Sequence, residues 1–75
     1  MSDLLSRITI SPDIRFGKPC IRNMRFAVQD VLEYLAAGET RESLLEEFPF
    51  LENDDISAAL EYAANNLPRK IVAAE

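Results

Sequence analysis

The chain has 75 residues, 48% hydrophobic and 28% charged, a balance that fits one globular domain and excludes a disordered segment. It has no histidine and a single cysteine, Cys20, which rules out Ser-His and Cys-His nucleophile pairs, an intrachain disulfide and the usual zinc sites. The net charge of −5 is unevenly placed: five bases against two acids from Met1 to Arg25, then one base against ten acids from Phe26 to Leu67.

In chain order, residues 1–6 read as an N-terminal extension. Ile8-Thr9-Ile10 alternates apolar and polar side chains as a short strand does. Ser11-Pro12-Asp13 is turn chemistry, and Gly17-Lys18-Pro19 is a second break. Cys20-Ile21 starts another short strand that turns at Asn23, a residue tolerant of left-handed backbone. The period then changes. Val28, Val31, Leu32 and Leu35 form the stripe of an amphipathic helix, closed by Gly38. Thr40 caps a second helix with Leu44, Leu45 and Phe48 inward, ended by Pro49. A third opens near Asn53 and carries Ile56, Ala59, Leu60, Ala63 and Leu67 as its stripe. Asp54 and Asp55 suit the positive end of its dipole.

The expected fold is mostly α with a small β-arm. A single domain spans residues 7–67, with a β-hairpin-like arm over 7–26 and a three-helix, helix-turn-helix-like (homeodomain-like) bundle over 27–67. Residues 68–75 form a tail holding Arg69, Lys70, Ile71 and Val72. A chain this short buries only about 60% of its unfolded surface, so a homodimer or a tight partner complex is expected. The first residues lack the basic and apolar regions of a secretory signal. No run approaches the ~20 apolar residues of a membrane span. A cytoplasmic protein with no membrane association is expected.

Catalytic chemistry is absent from the pattern. Adjacent acids on a helix do not face each other, so Glu46-Glu47 reads as a solvated face and Asp54-Asp55 as a dipole-matched helix start. Gly17 stands without the other glycines of a phosphate-binding loop. Cys20 reads as a small core residue, and Tyr34, Tyr62, Phe26, Phe48 and Phe50 as core or interface. No enzyme activity, cofactor, metal site or small-molecule substrate is expected. The work left to such a chain is to grip another macromolecule.

The run Ile14-Arg15-Phe16-Gly17-Lys18-Pro19-Cys20-Ile21-Arg22-Asn23-Met24-Arg25-Phe26-Ala27-Val28 closely resembles the signature of the domain-of-unknown-function 433 family. Leu35-Ala36-Ala37-Gly38, Phe48-Pro49 with Leu51, and Asp55-Ile56 with Ala58 to Ala63 follow that family's layout, so the resemblance covers about residues 7–66. Asn23, Met24 and Glu52 depart from its usual residues, with Asn53 available to take over the helix cap. The resemblance implies a helix-turn-helix-like fold behind a β-arm. It also implies the role of antitoxin in a type II toxin–antitoxin pair, set against a PIN-like ribonuclease. The alternative is a DNA-binding transcriptional regulator, possible with or without that partner.

Two contact modes suit a nuclease partner. The acidic helices complement a basic RNA-binding surface, or a guanidinium from Arg15, Arg22, Arg25 or Arg69 blocks the nuclease's metal-binding carboxylates. For DNA, the start of the third helix is acidic, so the arm residues Arg15, Lys18, Arg22 and Arg25 are the better candidates. Lys70, Ile71 and Val72 join Arg69 as candidates in the tail. The purely structural reading is that Lys18 and Arg22 are solvated, or that they pair with helix acids such as Glu33 or Asp30 and hold the arm to the bundle.

Overall fold

The computed structural model describes residues 3–67. A 3₁₀ turn at Leu4–Arg7 leads into strand β1, Ile8–Thr9, which pairs antiparallel with β2, Cys20–Ile21; Ile8 lies opposite Ile21 and Thr9 opposite Cys20. The far edge of β2 is also paired. Ile21 N–H donates to the Phe26 carbonyl at 2.9 Å, Val28 N–H donates to the Pro19 carbonyl at 2.9 Å, and Cys20 bridges Ala27. The arm is thereby tied to the first helix through its backbone before any side chain is considered.

The helices are α1, Val28–Ala36, α2, Arg41–Glu47, and α3, Asn53–Asn66. Gly38 sits just past α1 at φ 104°, the left-handed position that glycine occupies without steric cost. Thr40 caps α2 as its sequence suggests: its Oγ1 accepts from Ser43 N–H at 3.1 Å, and Ser43 Oγ accepts from Thr40 N–H at 2.9 Å. Mostly helical, with three helices and a two-stranded hairpin near the N-terminus, the architecture is the one expected from the periodicity.

Ile21, Val28, Val31, Leu44, Leu51, Ile56 and Ala59 form the core, drawn from β2, the three helices and the α2–α3 linker. Cys20 is buried and unpaired, and burial pushes its thiol pKa up. Phe26, Tyr34, Phe48 and Phe50 cluster over one side of this core, the Phe26 and Phe48 rings 4.9 Å apart between centroids.

The stripe expected on α3 divides. Ile56 and Ala59 enter the core, joined by Ala58 and Asp55, whereas Leu60 and Leu67 are exposed, at 38% and 63%. Two features of the fold cause this. The 3₁₀ turn at Leu4–Arg7 packs on α3 and covers a further side of it. With 14 residues against nine in α1 and seven in α2, α3 also outlasts its neighbours. The alternative cap at Asn53 is not used either. Glu52 is the N-cap residue, and Asn53 Oδ1 instead accepts from Arg41 Nη1 at 2.8 Å.

Candidate functional site

The basic arm and the acidic helices meet at two aspartates, each three residues past its helix's N-cap. Asp30 Oδ2 accepts from the Ala27 N–H at 3.0 Å, and Asp55 Oδ2 accepts from the Glu52 N–H at 2.8 Å. Each carboxylate thus satisfies a backbone donor that a helix start leaves open, and its charge suits the dipole there. Each is also held by arginine from the arm. Arg15 Nη1 donates to Asp30 Oδ2 at 2.8 Å and to the Arg25 carbonyl at 3.0 Å.

Asp55 is the deeper of the two. Arg22 grips it side-on, Nε to Oδ1 at 3.0 Å and Nη2 to Oδ2 at 2.8 Å, while Arg7 Nη1 donates to Oδ1 at 2.9 Å. The side-on geometry requires a planar guanidinium and is not available to lysine. Arg22 Nη2 also donates to the Phe50 carbonyl at 2.7 Å, and Arg22 N–H donates to the Arg7 carbonyl at 2.7 Å. One residue therefore joins the arm, the α2–α3 linker and the start of α3. Its backbone is left-handed, φ 42°, followed by Asn23 at 61°, and the Asn23 N–H is received by Thr9 Oγ1 at 2.8 Å. Arg7 reaches further, to Glu52 Oε1 at 2.7 Å and to Asp54 Oδ2 at 3.7 Å.

The electrostatics follow from the geometry. Burial works to raise the pKa of Asp55, but the hydrogen bonds from Arg22, the Glu52 N–H and Arg7 outweigh it and hold the carboxyl below its ordinary range. Asp30 behaves alike: burial opposes, and Arg15 with the Ala27 N–H prevails. The partners Arg7, Arg15 and Arg22 are all held more firmly in the charged form.

Of the candidates read from the sequence, Arg15 and Arg22 are drawn into these two clamps, whereas Lys18 and Arg25 stay exposed and make no ion pair among the described residues. Arg69, Lys70, Ile71 and Val72 lie outside the described residues. The arm is pinned to helix acids, but by other pairs than the expected ones: Arg15 takes Asp30, Arg22 takes Asp55 rather than Glu33 or Asp30, and Lys18 is solvated. The pairing of Arg7 with Asp55 is beyond the reach of charge pattern alone. The one signal for them is an acid at the third helical position of both α1 and α3, the place from which a carboxylate turns back to the N-cap.

Outside the clamps, Glu42, Glu46 and Glu47 project from α2 into solvent. Among the described residues, no group of three or more His, Cys, Asp or Glu is placed to hold a metal ion. No described helix is long and apolar enough to cross a membrane.

A three-helix module with a basic arm stapled across the start of its first and third helices is the class of protein these features define. The family model described as "Protein of unknown function (DUF433)" matches residues 8–63, and the chain belongs to that family. It is 42% identical over 59 residues to the uncharacterized protein y4eO of Sinorhizobium fredii (strain NBRC 101917 / NGR234). That match covers 79% of this chain but only 27% of the relative, so the chain spans about a quarter of its length. A crystal structure of a DUF433 member from Anabaena variabilis ATCC 29413 superposes with a TM-score of 0.76 at 35% identity, over 80% of this chain and 59% of that one.

Proposed function

We propose that this chain is the antitoxin of a type II toxin–antitoxin pair, a non-catalytic module that binds and neutralises a PIN-like ribonuclease. The observation that carries the reading is the inward use of the arm's arginines. Arg7, Arg15 and Arg22 are spent on Asp30, Asp55 and their neighbours, and the outer face of α2 keeps its glutamates. A nuclease that holds RNA presents a basic surface, and an acidic helical face complements it. The contact mode in which a guanidinium enters the nuclease's carboxylate site draws on Arg25 among the described residues, since Arg15 and Arg22 are already bonded.

The same geometry weighs against the DNA-binding alternative in its helix-turn-helix form. The start of α3, the part of a recognition helix that meets base edges, is acidic and is crossed by Arg7 and Arg22. Lys18 and Arg25 are then the arm's remaining phosphate contacts, a small electrostatic footprint.

Binding to a PIN-like ribonuclease, measured by calorimetry alongside inhibition of RNA cleavage, tests the proposal. Micromolar or tighter association with loss of cleavage is expected, weakened when Glu42, Glu46 and Glu47 are together replaced by lysine. Absence of association, or strong salt-dependent DNA binding by the isolated chain, would overturn it.

A further inference from the structure

We infer that Phe16 is an anchor for a partner protein, a ring held outside the fold for that partner to bury, and that the recess beside its turn takes an apolar side chain of the same partner. Phe16 is 98% exposed. Its backbone is left-handed, φ 58° and ψ 36°, between Arg15 at φ 54° and Gly17 at φ 84°. A bulky side chain enters that region only against a steric penalty. The fold returns nothing for it, since the ring stands almost wholly in solvent. Such strain persists where the surroundings impose it, and it collects at functional sites. Here the surroundings are the bonds from Arg15 to Asp30 and to the Arg25 carbonyl. The turn is therefore shaped before a partner arrives, and association need not order it.

The second of those bonds joins the turn to the recess. Arg25 lines a hollow of about 260 Å³ together with Met24, Phe26 and Phe50, the last 46% exposed. Aromatic residues, Met and Arg are the types enriched where proteins meet. Lys18 and Arg25 are exposed and make no ion pair among the described residues. The partner that fits presents a socket for the ring, an apolar side chain for the hollow, and carboxylates beside them. Other occupants fit less well. A nucleic acid is held through many phosphates, and two free cations on a chain of net charge −5 contact few. An anionic membrane meets the same shortage. A second copy would set Lys18 and Arg25 against their own kind. The inference rests on the nuclease reading for its partner and adds a contact to it, because a metal-dependent nuclease carries carboxylates of the required charge.

Calorimetry of the chain with a PIN-like ribonuclease tests the inference, set beside urea unfolding of the same variants. Phe16→Asn removes the ring but suits left-handed backbone, so it should keep or raise stability. It should nevertheless weaken association at least about tenfold. Phe16→Tyr, which keeps the ring, should bind as the parent does, and Arg25→Glu should bind more weakly. Equal affinity in the parent and Phe16→Asn would overturn the inference and leave the nuclease reading standing. No association by the parent would overturn both. Phe16→Trp supplies the one tryptophan of the chain. Its emission should stay unchanged when single-stranded RNA or anionic vesicles are added. Quenching or a blue shift there would assign the ring to base stacking or to the bilayer, and would overturn the inference.

Discussion

The two clamps share a plan and differ in depth. Asp30 and Asp55 stand at the same helical position, return the same hydrogen bond to their N-caps and receive guanidinium groups from the same arm. Asp55 is fully buried under two arginines, while the Asp30 side chain keeps 27% exposure and has one. A carboxylate removed from water depends on its partners for all its solvation, whereas one at the surface exchanges them for water at little cost. The Asp55 clamp also joins three separate parts of the chain. Asp30 joins two that the backbone bonds of Pro19, Ile21 and Cys20 already hold together. The fold is therefore secured at Asp55 and trimmed at Asp30.

Replacement of Asp55 by alanine breaks this contrast most forcefully. It leaves the guanidinium groups of Arg7 and Arg22 facing an empty buried site and frees the Glu52 N–H. A loss of about 3 kcal/mol is expected in urea unfolding, enough to leave a domain of this size partly unfolded at room temperature.

The pH response comes next. The folded-state pKa of Asp55 lies below its unfolded value, so its contribution is fully present above the unfolded pKa and is lost as pH falls through the folded one. Asp30 is shifted in the same direction. Unfolding midpoints followed downward from about pH 4, the ordinary aspartate range, should fall steadily in the parent. They should fall less in Asp55→Asn, which has no such charge to lose. Equal acid sensitivity in the two proteins would remove Asp55 from its central place.

Asp30→Ala is expected to cost about 1 kcal/mol, the combined loss of a cap bond and a largely solvated pair. A cost equal to that of Asp55→Ala would erase the distinction between the clamps.

Most of the fold was legible in the sequence because local chemistry and periodicity agree. Thr40, Gly38, Pro49 and the α1 stripe each place a boundary or a face by themselves, and they do so where the structure has them. The stripe on α3 was only half right. Periodicity reports that one face is apolar; it does not say how much of that face the neighbouring helices are long enough to cover. The arm's arginines were visible as charge, and their general use as staples was within reach. Their partners were not, because Asp55 is 33 residues from Arg22 and 48 from Arg7. Only the folded path brings them together.

The smallest expected effect concerns the loop that carries the shallower clamp. Arg15, Phe16 and Gly17 are consecutive left-handed residues, φ 54°, 58° and 84°. Only the glycine adopts that conformation freely, and Phe16 gains no burial in return, since it is 98% exposed. The bonds from Arg15 to Asp30 and to the Arg25 carbonyl hold the turn against its local preference. Phe16→Gly removes the steric penalty but adds freedom to the unfolded chain, two terms of similar size, so stability should change by less than about 0.5 kcal/mol. Phe16→Val keeps a side chain and adds a branch at Cβ, where the left-handed region is least tolerated, and should cost about 1 kcal/mol more. If the Asp30 clamp is what holds this turn, the two changes are coupled. In a double-mutant cycle with Asp30→Ala, the cost of Phe16→Val should shrink, because the loop is then released to a relaxed path. Strict additivity would show that the strained turn stands without the clamp, and that Asp30 serves its own helix start alone.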